Sequence, residues 1–128
     1  MAENDVFASP VRDPDTAPFF DALREAKLLI KTCNACNQPF FYPRTLCPFC
    51  LSESSWVECS GEGTLYSYTQ VARRGGDYVL AMVTLSEGPT LMTNILTDTP
   101  EALAIGQRVR VEFVDTVGDE KLPVFVPG

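Results

Sequence analysis

Four of the five cysteines in this 128-residue chain form two Cys-x-x-Cys pairs, Cys33/Cys36 and Cys47/Cys50, separated by ten residues. Each pair suits the tip of a hairpin, where two thiolates converge on one ion, and two such knuckles place four sulfurs about 2.3 Å from a tetrahedral zinc. Two disulfides are not expected in a cytosolic chain, and paired knuckles at this spacing suit a metal better. Iron in a rubredoxin-like site is the nearest alternative, and a redox or lost site a further one. Four thiolates close the coordination shell, so the expected cofactor is one structural zinc per chain, held by Cys33, Cys36, Cys47 and Cys50. Zinc with four thiolates carries a net negative charge, which repels phosphates unless Lys31 or Arg44 compensates.

The chain has no histidine, 10 basic and 17 acidic residues, and a net charge of −7. Without histidine there is no Ser-His-Asp or Cys-His pair and no imidazole base or ligand. An enzyme built from this chain alone would have to use carboxylates, Lys, Tyr or Cys, and the carboxylates do not pair convincingly for acid–base work. The acidic balance argues against a polyanion as main ligand. Apolar residues at 45% and charged residues at 21% are ordinary for a globular chain. No apolar run approaches the roughly 18 residues of a membrane span, and the acidic start is unlike a signal peptide. The expectation is a soluble cytoplasmic protein with neither a membrane nor a nucleic-acid partner.

Residues 1–15 carry Pro10 and Asp13-Pro14 and no periodic pattern, so they read as a loose arm. Thr16 resembles an N-cap, with Pro18 in the first turn and Asp21 near the positive end of the dipole. Phe19, Phe20, Leu23 and Ala26 recur at helical spacing and predict an amphipathic helix of about three turns. Its aromatic stripe packs on the chain's own core or docks onto a partner. From Gly61 onward the texture is β. Strands of period two are expected over 63–73, 78–85, 90–96, 109–113 and 124–126, with a hairpin turn at 74–77 and a short helix from Thr99 stopped at Gly106. Five strands with one helix between the third and fourth match a small oligonucleotide/oligosaccharide-binding (OB) barrel. Gly61 and Gly63 permit bending at its corners. The expected division is 1–27 arm and helix, 28–60 zinc ribbon and 61–128 barrel, in a mainly β chain.

Cys59 reads as a small buried hydrophobe, since no neighbouring His or Lys lowers its pKa. Arg73-Arg74 at the hairpin is either an anion clamp or a solvated loop. The stretch Phe40-Phe41-Tyr42-Pro43-Arg44 either bridges ribbon to barrel or forms an apolar wall with one cation, suited to an acyl chain and its phosphate-bearing carrier. Phe19, Phe20, Phe41, Tyr42, Arg44, Arg73 and Arg74 are therefore the candidate partner or ligand contacts. A single-strand-binding module would use aromatics such as Phe40, Tyr66, Tyr68 and Tyr78 beside a basic stripe, and five bases against nine acids from Gly61 onward do not supply one.

From about Asp13 the order of Phe-Phe helix, Leu-Leu, Cys-x-x-Cys, Phe-Phe-Tyr-Pro-Arg, Cys-Pro-x-Cys, Trp, Ser60-Gly61-x-Gly63-Thr64-Leu65-Tyr66 and terminal Leu122-Pro123-Val124-Phe125 resembles one family. It is the family of small zinc-ribbon plus OB-fold proteins, long listed as a domain of unknown function, that accompany thiolase-like enzymes. The resemblance implies a non-catalytic subunit of an acyl-CoA-processing complex in lipid or steroid metabolism. The partner would be a thiolase-like protein and, in some members, a hydratase-like one. The chemistry would be carbon–carbon cleavage, condensation or acyl transfer, with catalytic residues in the partner. It matches the four cysteines to the family's zinc ligands. It also matches Tyr42-Pro43-Arg44 and the 60–63 junction to its other fixed features, and sets Ala26 where members often have glycine. The alternative reading is a stand-alone acyl-CoA or lipid binder.

Overall fold

The computed structural model describes residues 10–128 apart from Arg12, Arg73, Gly75 and Asp119. Most of the expected arm, and one arginine of the Arg73-Arg74 pair, thus lie outside the described residues. Helix α1 (Ala17–Arg24) has eight residues, about two turns rather than three. It ends early because Ala26, which fits the helical spacing, takes a left-handed conformation at φ 60°. The N–H of Ala26 then donates to the Leu23 carbonyl and that of Lys27 to the Ala22 carbonyl, the paired bonds of a Schellman stop.

The start of α1 also departs from expectation. Thr16 makes no side-chain cap bond to the first turn, and no acidic residue lies in that turn. Its hydroxyl instead meets Asp13, accepting from the Asp13 N–H at 3.0 Å, while the Asp13 carboxylate accepts from the Thr16 N–H at 3.0 Å. Thr16 is fully buried, so this local turn satisfies groups that water cannot reach.

A three-stranded antiparallel ribbon follows, with β1 (Leu29–Cys33) between β2 (Pro39–Phe40) and β3 (Ser54–Glu58). Lys31 is the register point, facing Phe40 on one side and Trp56 on the other. The strands β4 (Glu62–Val71), β5 (Tyr78–Leu85), β6 (Thr90–Ile95), β7 (Arg108–Asp115) and β8 (Lys121–Pro127) close into a barrel of order β4-β5-β6-β8-β7. All pairs are antiparallel except β6–β8, which meet in parallel at Ile95 and Phe125. This is the OB-type barrel. In place of the expected helix after β6 there is a single 3-10 turn, Pro100–Ala102.

Period-two alternation decides which side chains fill the barrel. Along β5, Val79, Ala81, Val83 and Leu85 are buried, and they pack with Leu65, Leu91, Ile95, Val109 and Phe125. Gly63 is required by close approach, because a Cβ there would sit 2.8 Å from the Thr84 carbonyl oxygen. Gly61 combines φ 85° with a would-be Cβ only 2.5 Å from Val111 Cγ1. The same core cluster includes Phe19, Phe20 and Leu23 of α1 and Leu28 and Ile30 at the ribbon base. The aromatic stripe of the helix is therefore spent on the chain's own interior.

Candidate metal centre

The two knuckles are built alike. In the first, the N–H groups of Ala35 and Cys36 each donate to Cys33 Sγ at 3.3 Å, and Asn37 N donates to the Cys33 carbonyl. In the second, Phe49 N donates to Cys47 Sγ at 3.3 Å, and Leu51 N donates to the Cys47 carbonyl. Asn37 and Leu51, each just after the second cysteine, are both left-handed at φ 60° and 65°. The local fold thus turns one buried and one exposed cysteine of each pair toward a common point.

All four sulfurs lie within 4.8 Å of one another. Cys33 and Cys50 sulfurs are 3.4 Å apart and those of Cys36 and Cys47 3.8 Å. A tetrahedron of sulfurs around zinc has edges of about 3.8 Å, so the donor set fits that ion. The surroundings favour thiolate at two corners. Hydrogen bonds from the Cys36 and Ala35 N–H groups hold the Cys33 pKa below its usual value. The Ser52 hydroxyl and N–H bring Cys50 down to about 6. At Cys36 the Gln38 N–H also lowers the pKa, but desolvation and the neighbouring sulfurs outweigh it and push the thiol to about 12. A doubly charged cation among the sulfurs removes that mutual repulsion.

Sequence reasoning missed the groups that fix the second knuckle. Ser54 Oγ donates to the Thr45 carbonyl at 3.0 Å, the Thr45 hydroxyl donates to Asp15, and Leu46 bridges Glu53. Only the serine and threonine content hinted at them. Lys31 is also buried, its ammonium 4.7 Å from the centre of the Trp56 ring.

The candidate contacts separate by burial. Phe19 and Phe20 are only 3% and 5% exposed and touch each other edge-on, which removes both from the surface. Phe41 is partly buried against Phe19 and the core. Tyr42 is exposed, with the Arg44 guanidinium 5.4 Å from its ring centre. Arg74 is exposed in the β4–β5 loop of the barrel, and Arg73 is not among the described residues. Cys59 is buried at the ribbon–barrel junction, where desolvation and the facing Glu87 carboxylate push its thiol up to about 12. It is therefore an inert apolar neighbour, as its sequence context suggested.

Comparison with known proteins places this geometry. Residues 20–55 match the family model "ChsH2, rubredoxin-like zinc ribbon domain", and residues 56–114 match "ChsH2, C-terminal OB-fold domain". A solved structure described as "Ltp2-ChsH2(DUF35) aldolase" superposes with a TM-score of 0.83 at 33% identity, covering 93% of this chain and 98% of that one. The chain belongs to the ChsH2-type DUF35 family. As in that family, a rubredoxin-like zinc ribbon with four clustered cysteines, suited to one structural zinc, precedes an OB-fold.

Two curated relatives are longer than the region they share with this DUF35 chain. A "Probable enoyl-CoA hydratase alpha subunit" of Thermomonospora curvata is 34% identical over 92% of this chain and 39% of its own length. A "DUF35 domain-containing scaffold protein" of Methanocaldococcus jannaschii is 29% identical over 63% of each. The chain thus spans about two fifths of the first and less than two thirds of the second. Among the described residues, no helix is long and apolar enough to cross a membrane.

Proposed function

We propose that this chain is a non-catalytic scaffold subunit of an acyl-CoA-processing complex whose catalytic partner is a thiolase-like enzyme. The observation that carries the reading is the near-complete superposition, at 33% identity, on a DUF35 chain described together with an Ltp2 aldolase. The scaffold name of the Methanocaldococcus relative agrees with it, and the hydratase-subunit name of the Thermomonospora relative agrees with acyl-CoA chemistry. The chemistry of the chain points the same way. It has no histidine, its thiol outside the knuckles is held protonated, and a closed shell of four thiolates leaves zinc no open position for water or substrate.

In this reading Cys33, Cys36, Cys47 and Cys50 are the zinc ligands, and the ion holds the ribbon tip. Tyr42 and Arg44, stacked and exposed on the ribbon, are contacts for the partner or for the phosphates of its CoA ester, and Arg74 is a second cation for the same anions. Residues 28–60 act as the zinc module and 61–128 as the barrel module of one scaffold. The complex forms in the cytoplasm.

The test is capture of the tagged full chain from its native cell, followed by mass identification and native mass. A thiolase-like protein in stoichiometric amount is the expected result, with no acyl-CoA turnover by the chain alone. A chain that elutes alone and turns over or binds acyl-CoA unaided overturns the proposal.

A further inference from the structure

The barrel has two outer faces of opposite character. Where β7 faces outward it shows Arg108, Arg110 and Glu112, tied into the ion pairs Arg108–Glu62 at 3.4 Å and Arg110–Glu112 at 3.3 Å. That is a solvated surface. The outer face of β4, β5 and β6 is different. The register sets the row Ser67, Met82, Met92 beside the row Thr69, Leu80, Asn94. The alternate residues of β5 and β6 point into the core, so these six face outward. None of the six carries a charge, in a chain with 27 charged residues among 128 (10 basic and 17 acidic). Thr84 and Thr90 extend the uncharged surface, sharing a 2.8 Å hydrogen bond between hydroxyls.

Ser67, Thr69, Leu80, Met82 and Met92 of these rows, with Tyr68 and Ala81 between them, line a groove of about 240 Å³, and Met92 is 65% exposed. The main packing of α1 is on β8 and β1, and that of the ribbon strands is on one another. Loss of charge with enrichment in methionine is the composition of an interface centre rather than of free surface, and methionine adapts its shape to what it meets.

We infer that this β4–β5–β6 face is the docking surface for a protein partner whose matching surface is uncharged. Resting on the function proposed above, that partner is the thiolase-like enzyme. Charge selects among the occupants. A second copy brings another −7, and like net charge of that size keeps copies apart. A nucleic acid needs cations beneath its phosphates, and the six positions offer none. An apolar, hydroxyl- and amide-bearing protein surface meets neither obstacle and satisfies the hydroxyls and amide on the rim.

The experiment uses the full zinc-loaded chain and the purified thiolase-like enzyme recovered with it, with affinity measured by calorimetry. Met92→Glu and Met92→Lys should each weaken binding at least tenfold, because a charge of either sign would be stranded in the interface. Arg110→Ala, on the charged face, should change it less than twofold. Thr69→Arg, on β4 across β5 from Met92, decides the matter if either Met92 variant loses zinc or melts early. Binding within twofold of wild type for both Met92 variants, or for Met92→Glu or Met92→Lys alone, overturns the face while leaving the scaffold reading intact. A wild-type chain that does not bind the enzyme at all overturns both.

Discussion

Ala26 shows how a single backbone torsion reshapes a reading of the sequence. At φ 60° it closes α1 in the conformation that glycine adopts without strain. For a residue with a Cβ this conformation costs on the order of 1 kcal/mol. Ala26→Gly should therefore raise stability by about 0.5 kcal/mol, after allowing for the greater freedom of glycine in the unfolded chain. Chemical denaturation checks this, and an unchanged or lower midpoint would contradict it. The sequence pattern could not reveal the stop, because alanine at helical spacing reads as one more helical residue.

Cys59 gives the second residue-scale prediction. Its thiol is ordinarily at 9.0 and is raised to about 12 in the folded chain, first by desolvation and then by Glu87. A group whose pKa rises on folding stabilises fully below its unfolded value and loses that contribution as pH climbs toward the folded one. Stability should thus fall between about pH 9 and pH 12 in the wild type. In Cys59→Ala that added alkaline loss should be absent, while the cavity costs about 1 kcal/mol at neutral pH. Denaturation of both proteins at pH 7 and pH 10 checks the sign. Native Cys59 should likewise resist alkylation at pH 8, where it remains a thiol.

At the scale of elements, the ribbon divides into a base and a tip. The base, Leu28 and Ile30, belongs to the barrel core, whereas the tip has only the small buried cluster of Cys33, Phe40 and Cys47. Such a cluster holds few apolar contacts, so the tip's order rests on the metal. Chelation of zinc should speed amide exchange at Cys33, Asn37, Cys47 and Leu51, the donors inside the knuckles. Val79–Leu85 of β5 should stay protected. Cys47→Ser should lower bound zinc below half an equivalent and reproduce the same pattern. Equal loss of protection in β5 would show that the tip and barrel are not separable in this way.

The elements also show where sequence signals suffice. Strands β5 and β7 were legible because one face is buried and the other is not, which writes a period of two into the residues. The cysteine spacing announced the knuckles for a similar reason: four identical ligands at fixed offsets have few other uses. The register shift between Leu65 and Ser67 was not legible. It inserts Tyr66 as an extra residue without any glycine or proline to mark it. The cap at Thr16 failed because Asp13, three residues earlier, takes the same hydroxyl in a local turn. The uncharged face needed only the outward positions of three strands, but their adjacency is set by topology.

For the whole molecule, the question is whether helix, ribbon base and barrel fold as one. Leu23 of α1, Leu28 before β1 and Phe125 of β8 are each at most 2% exposed and belong to one core cluster. Arg24 at the end of α1 adds an ion pair, at 2.9 Å, to Glu120 just before β8. Glu120 is buried while Arg24 is half-exposed, so the pair links the helix to the barrel at the margin of the core. Truncating Leu23 leaves a cavity at the place where the helix meets the barrel, and such losses run about 2–5 kcal/mol. Leu23→Ala should accordingly lower the melting point of the entire chain in a single transition, seen alike by far-ultraviolet circular dichroism and by Trp56 fluorescence from the ribbon. If the helix were an independent arm, the barrel would melt at its wild-type temperature in that variant, and the two probes would part. One shared shift is the expected outcome, because the cavity opens against residues of all three segments at once.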